Sequence, residues 1–430
     1  MKRFLVILLC LILYTTLFTS CPGRNAGTNG EAETPKEIRV LLADHPYGNL
    51  LIPLIPEFER ETGIKVIFEQ LKENELNSRL TEEFTAGGCA ADVFMTRPIQ
   101  ETLFFLKNDW IAPITNYDFS DYPQNTAEIG LKDGKLHVVP LIVEWQVLFY
   151  RRDLLTAAGL NVPANFDELE NAARVLNRDG VYGFGSRGAG FAAVTQISSF
   201  IYNFGGRYIE NGTAAFASSE AVEAFRYYGR ILGIYGPQGV QNMSWNEILP
   251  IFQEGRLAMW TDASVFYSQL IDPLVSKVPA ENVGVAILPR GPVTNEPYII
   301  SSWGMSISSR TSDMDSSAKF LEWATSKEMA KKAMLANITM ARTSVWNDTS
   351  ITSLLNPGIV ETMIHASQYG YPYAMPFMTS IVRGRELIGD VISESINTRG
   401  TSPRLHVIAA QRASDLNDLL KTDGEYGTAK

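Results

Sequence analysis

Cysteine and histidine are scarce in this chain, with three of the first and four of the second in 430 residues. Cys10 and Cys21 lie near the start and only Cys89 falls in the body, so no disulfide is available inside the main fold. Cys89 follows Gly87 and Gly88 and reads as a small, half-buried residue rather than a reactive thiol. His45, His137, His365 and His406 are scattered, without the spacing of a metal site, so no metal is expected. Clustered Lys and Arg are also missing, against a net charge of −10. Phosphate contacts need grouped cations, so nucleic acid is excluded as a partner. After the opening segment no run is greasy enough to span a bilayer, which takes about 20 apolar residues. A serine-nucleophile motif of the G-x-S-x-G kind is absent. There is no internal repeat.

What is present begins with a greasy opening. Lys2 and Arg3 precede residues 4–18, an almost wholly apolar run, and Thr19 and Ser20 follow. Charge, greasy core and small residues form the layout of an export signal. The stretch "LFTSC" (17–21) resembles a bacterial lipoprotein box. That resemblance implies acylation of the Cys21 sulfur, with residues 1–20 removed as a signal peptide. Gly, Asn, Thr and Glu dominate residues 23–35, which have nothing to bury and read as a flexible tether over 21–36. The expected location is outside the cytoplasm, with the chain lipid-anchored to a membrane on its periplasmic face or at the cell surface.

The body is long enough for about two domains, and 45% hydrophobic residues supply an ample core. Short apolar runs alternate with helical patterns, the signal for parallel sheets covered by helices. Strands are expected at "IRVLLAD" (38–44), "IKVIFEQ" (64–70), "ADVFMT" (91–96), "VYGFG" (181–185), "LAMWTD" (257–262), "VGVAILP" (283–289) and "IISSWGMSIS" (299–308). "HVVPLIVEWQVLFYRRD" (137–153) reads as one long extended run. "IPEFERETG" (55–63) is a helix stopped by Gly63, short or kinked because of Pro53 and Pro56. The clearest helix is "NFDELENAARVLN" (165–177), where Asn165 and Glu168 have capping-box spacing and Phe166, Leu169, Ala173 and Leu176 share a face. Helices are also expected over 219–233, over 316–335 and through most of the tail beyond 355.

"VLFYRRDLLTAAGLNVPANFDELENAARVL" resembles the central signature of the family-1 extracellular solute-binding proteins, the maltose-binding-like receptors of ABC importers. "FQEGRLAMWTDAS" (252–264), "VGVAILPRGP" and "SSWGMSISSRTSDMDSSAKFLEWATS" resemble further motifs of that family, in the family's order. The resemblance runs from about Ile38 to Leu420. It implies an α/β, two-lobe periplasmic-binding-protein fold of type II, each lobe a sheet flanked by helices, joined by hinge crossovers. Lobe 1 is expected from 37–143 plus 300–342 and lobe 2 from 144–299 plus 343–430. Crossings are expected near Pro140 to Gln146, near Tyr298 to Trp303 and near Arg342.

The implied function is capture of a sugar, sugar alcohol or short oligosaccharide between the lobes, and delivery to ABC permease subunits by a monomeric receptor without cofactor or catalytic residue. Loops after strand ends gather at a crevice. A sugar packs its CH face on an aromatic ring and needs fixed polar partners for its hydroxyls. The expected ligand-binding residues are therefore His45, Tyr47, Arg97, Glu144, Trp145, Arg187, Trp260, Asp262, Trp303, Arg342 and Tyr373. Trp110, Trp245, Trp323 and Trp346 read as structural. A secreted glycoside hydrolase is the enzymatic alternative, with Glu144 and Asp262 as its two carboxylates. A surface structural or adhesive lipoprotein is the third. "GFGSRG" (183–188) matches the dinucleotide fingerprint, with Glu210 downstream, but it is a lone match after a short strand and export argues against a soluble nicotinamide cofactor, so no dinucleotide is expected. Tyr227 and Tyr228 sit in a helical pattern and read as packing rather than as ferric ligands. The anchor can be tested by metabolic labelling with a palmitate analogue. The parent chain should take the label and fractionate with membranes, and Cys21→Ser should lose both properties.

Overall fold

The computed structural model describes residues 36–89 and 91–428. The signal peptide, Cys21 and all but the last residue of the tether lie outside the described residues. Strand β1 (Glu37–Ala43) opens the fold. Helix α1 (Pro46–Leu51) and helix α2 (Ile55–Thr62) follow, separated by a short 3-10 turn containing Pro53. Gly63 stops α2 in the left-handed region at φ 70°, a conformation that costs glycine little. Strand β2 (Lys65–Leu71), helix α3 (Glu73–Thr85), strand β3 (Val93–Thr96) and helix α4 (Pro98–Lys107) complete the first run.

Strand β4 (Val139–Arg151) is the long extended segment. After it come helix α5 (Phe166–Leu176), helix α6 (Gly190–Asn203), helix α7 (Ser219–Tyr235) and strand β5 (Met259–Ala263). Strands β6 (Val283–Ile287) and β7 (Ile299–Ile307) bring the chain back. The segment 316–335, expected as one helix, is two: α8 (Met314–Ala324) and α9 (Lys327–Leu335). Ser326 breaks it by capping α9 through the Met329 amide, since a serine oxygen competes for backbone donors that a continuous helix would use internally. Helices α10 (Pro357–Tyr369), α11 (Ile381–Asn397) and α12 (Leu405–Thr422) form the tail.

The sheet order is β6-β4-β7-β3-β1-β2, with β5 on β4 as well. Only β1 with β2 and β1 with β3 are parallel; β7, β5 and β6 run antiparallel to their partners. The expected parallel sheet is thus a mixed one, because the later strands return from the far half of the chain. Strand β4 is shared between two sets of strands. Its first part, Val139 to Trp145, pairs with β7, and its second part, from Gln146 on, pairs with β5 and β6. Residues 339–341 bond to Leu141 and Val143 of the same strand. Segments near 140–146, 298–303 and 339–342 therefore lie hydrogen-bonded side by side.

"VYGFG" forms no named strand. It makes only isolated bridges, Val181 to Arg178, Tyr182 to Leu257 and Gly185 to Trp260. Its glycines serve close packing: a Cβ on Gly183 would lie 1.9 Å from the Ala173 carbonyl oxygen, and one on Gly188 would lie 2.0 Å from that of Val240. This accounts for the fingerprint-like spacing of "GFGSRG" without a dinucleotide.

Helix α5 shows how local signals meet packing. The Asn165 side chain accepts from the Glu168 amide at 2.9 Å, while Glu168 accepts from the Ala164 amide at 2.9 Å. Phe166, at the first turn, stacks on Phe200 and Tyr227 with ring centroids 5.0 Å away in each case. Tyr227 and Tyr228 are both buried, as packing residues should be. Asn165→Ala should cost about 1 kcal/mol through the lost cap, read as a lowered urea midpoint with an unchanged slope.

Candidate functional site

A cavity of about 320 Å³ opens where the two strand sets of β4 meet. Its walls come from both ends of the chain, because β4, β7 and the loops after β3 all reach it. Arg97 follows β3 directly, held by the first turn of α4. Buried Glu101 accepts from the Arg97 amide at 2.8 Å and its Nε at 2.9 Å, and from the Thr96 hydroxyl at 2.7 Å. The outer end of the Arg97 guanidinium meets Glu73 at the start of α3. Arg97 thus enters the cavity already neutralised.

Arg187 stands in the loop before α6 and forms a bidentate pair with Asp262, Nε to Oδ2 at 3.0 Å and Nη2 to Oδ1 at 2.6 Å. Burial works against the guanidinium charge, but Asp262 outweighs it and holds the group above the ordinary arginine range. Asp262 is 0% exposed and also accepts from Gln196 Nε2 and the Ala263 amide. Gln196 Nε2 reaches Tyr298 Oη at 3.1 Å, tying β5, α6 and the start of β7 into one network.

Glu144 projects from β4 into the same cavity and has no ion-pair partner among the described residues. Burial pushes its carboxyl above the usual carboxylate range, partly offset by a hydrogen bond with Ser302 and by the nearby Arg187 charge. Trp303 of β7, 9% exposed, supplies an indole wall. His45 caps α1, accepting from the Tyr47 amide at 3.1 Å, and its ring lies 6.1 Å from that of Trp303. Burial lowers the His45 pKa to about 4, so the ring is neutral at physiological pH.

Arg97, Glu144, Arg187 and Trp303 line this cavity. Asp262 stands behind Arg187 and His45 behind Trp303. The remaining expected residues are placed elsewhere. Trp145 is 0% exposed, donates its indole N–H to Thr362 at 3.0 Å and packs edge-on to Trp346 at 5.5 Å. Trp260 is also 0% exposed, among Phe149, Phe252 and Phe266. Both sit in strands that are buried on both faces, which the apolar runs around them do not reveal. Tyr47 is buried and its hydroxyl donates to the Ala324 carbonyl. Arg342 binds Asp121 at 2.9 Å and the Thr325 carbonyl at 2.6 Å, and lies over the Tyr122 ring. Tyr373 donates to Glu128 at 2.5 Å and lines a separate, smaller cavity with Tyr202 and Arg207. The expected tryptophan trio is thus one indole, Trp303. Among the expected structural tryptophans, Trp110 and Trp346 are buried while Trp245 is exposed.

Sequence reasoning missed Arg385, Gln100 and Met375 in the cavity wall. Gln100 follows a strand end and could have been found by that rule. Arg385 lies on α11, one of two arginines on an amphipathic helix, and no pattern singles it out. Among the described residues no group of three or more His, Cys, Asp or Glu could hold a metal, and no helix is long and apolar enough to cross a membrane.

A family model described as "Bacterial extracellular solute-binding protein" matches residues 43–331. The mannitol-binding protein of Pseudomonas aeruginosa is 31% identical over 285 residues; the match covers 64% of this chain and 65% of that relative, just under two thirds of its length. A solute-binding protein of Agrobacterium vitis S4, solved with bound D-mannitol, aligns with a TM-score of 0.69 at 24% identity, over 90% of this chain and 99% of the other. The GacH receptor of Streptomyces glaucescens, solved unliganded and with acarbose, aligns with a TM-score of 0.75 at 21% identity, over 90% and 99%. These structures share the two-lobe type II binding-protein fold with this chain.

Glu144 gives a pH-dependent prediction. Its carboxyl binds a proton more tightly in the folded chain than in the unfolded one, where the value is near 4.5. It therefore favours the fold below that pH, and the contribution is lost as pH rises through the folded-state value. Urea midpoints of Glu144→Gln relative to the parent should improve as pH rises from 4.5 and level off once pH passes the folded-state value of the carboxyl; a difference independent of pH would refute the shift.

Proposed function

This chain belongs to the bacterial extracellular solute-binding proteins, and from that premise we propose that it captures a sugar or sugar alcohol in the β4 cavity and hands it to the permease of an ABC importer. The observation that carries this reading is a single cavity with ready-made hydroxyl partners from both strand sets: Glu144 accepts, while Arg97 and Arg187 donate. Each guanidinium is oriented by its own carboxylate, so little order is lost when a hydroxyl binds. One indole, Trp303, offers a CH-packing face. A lone indole among many charged groups suits a small, hydroxyl-dense ligand better than a chain of stacked rings. The relative named for mannitol, and the neighbour holding D-mannitol, support the same choice.

Capture rather than hydrolysis is part of the proposal. A glycosidase needs two available carboxylates. Asp262 already accepts from Arg187, Gln196 and its neighbouring amide, and Glu73 in the cavity wall is paired with Arg97, which leaves Glu144 as the carboxylate there without an ion-pair partner. The division into lobes is proposed along β4. Residues 37–143 with 300–342 form one lobe, and residues 144–299 with the tail form the other. The short helices over 343–352 pack on α9, so in this proposal the final return falls near Leu355 rather than at Arg342. Ligand touching both lobes favours closure by contacts that exist only when closed. Anchorage through Cys21 would keep the loaded receptor near its permease.

Calorimetry and thermal denaturation with mannitol, ribitol and maltose test this. A bound ligand at 100 times its Kd should add about 2.7 kcal/mol of stability. Trp303→Ala and Glu144→Ala should each weaken binding at least tenfold, equivalent to about 1.4 kcal/mol. Sustained release of cleaved sugar would contradict the capture reading.

A further inference from the structure

The cavity holds three arginines, and they differ in one respect. Arg97 is paired with Glu73 and Glu101, and Arg187 with Asp262. Arg385, from the second turn of α11, has no carboxylate within ion-pair distance among the described residues. Its side chain is nonetheless fixed. The guanidinium lies over the Phe191 ring with its carbon 3.7 Å from the centroid, and Nη2 donates to the Phe191 carbonyl at 2.8 Å. Nε is buried without a hydrogen-bond partner. Burial, and then the like charge of Arg187, lower its pKa to about 10, so it stays cationic at neutral pH while lacking a counter-charge. An unpaired, immobilised guanidinium facing a cavity is an unsatisfied site for a planar anion, the partner that its fork of donors fits best.

We infer that the ligand is a polyhydroxylated acid, an aldonate or uronate, whose terminal carboxylate is received by Arg385 while its hydroxyls meet Glu144, Arg97 and Arg187. This rests on the sugar and polyol reading above and narrows it. A single free guanidinium matches a single negative charge. A phosphate monoester carries nearly two, and would enter a cavity that already contains the Glu144 carboxyl. Arg385 rises from α11 and Glu144 stands on β4, so the acid end and the hydroxyl end of such a ligand meet different elements of the cavity wall. A ligand of this polarity binds in one direction, because reversing it would set carboxylate against carboxylate.

Matched pairs of probes differing only at one terminus decide the question: ribitol with ribonate, and mannitol with mannonate. Titration calorimetry on the purified protein should show at least one acid binding tenfold or more tightly than its polyol. Arg385→Gln should erase that advantage and Arg385→Lys should keep part of it, since charge remains and the fork is lost. Raising the salt concentration on the unsubstituted protein gives a readout that needs no variant: acid affinity should fall and polyol affinity should hold. Polyols bound as tightly as their acids would overturn the inference and leave the sugar and polyol reading standing. Tight binding of maltose with no response to any of the four probes would overturn the inference while keeping sugar capture. Silence toward every probe and every sugar would overturn both.

Discussion

Everything in the described fold is arranged around the need to pair the backbone of β4 along its whole length. A strand of this kind carries a donor and an acceptor at nearly every residue, and burial leaves none of them to water. From Val139 to Trp145 the partner is β7, and from Gln146 to Arg151 the partners are β5 and β6. One strand therefore belongs to two sets of neighbours, and the change of partner falls at Trp145–Gln146. Glu144 sits beside that change, and so does the cavity. The place where the ladder switches is also the place where side chains from distant parts of the chain can face one another.

Charge is handled in the cavity by pairing before any ligand arrives. Arg97 is held by Glu101 and Glu73, and Arg187 by Asp262. Removing one member of such a buried pair leaves an uncompensated charge and costs several kcal/mol, about 3–5 in comparable cases. The pairs thus stabilise a pre-set arrangement of donors more than they stabilise the fold itself. Glu144 and Arg385 are the two charged groups left out of this pairing. Burial makes the first reluctant to ionise, and burial with a like-charged neighbour weakens the proton affinity of the second.

Core packing explains why aromatic residues near strand ends were poor guides. Trp260 and Trp145 lie in runs that are apolar at almost every position, so period-two alternation cannot say which face each indole takes. In the fold Trp260 fills space among Phe149, Phe252 and Phe266, and Trp145 closes against Trp346. Trp303 differs because Ser301 and Ser302 precede it and the β4–β7 register shifts there, which turns its ring toward the cavity.

Local chemistry was legible in the amino-acid order wherever the signal was itself local. The Asn165 cap, the Gly63 stop, the long extended run that became β4 and the helical tail all follow from neighbours within a few residues. The family motifs were legible for the same reason, since each is a short run. Arg97 and Glu144 could be named because they follow or occupy strands, and Arg187 because it follows an apolar run that reads as one although it forms only isolated bridges. The tertiary structure alone decided that Asp262 is tied up by Arg187, that Arg342 belongs to Asp121, and that Arg385 reaches the cavity unpaired. Those outcomes depend on which distant side chain supplies a counter-charge at about 3 Å. Proximity across 75 or 221 residues is a property of the folded path, and no short window of sequence contains it.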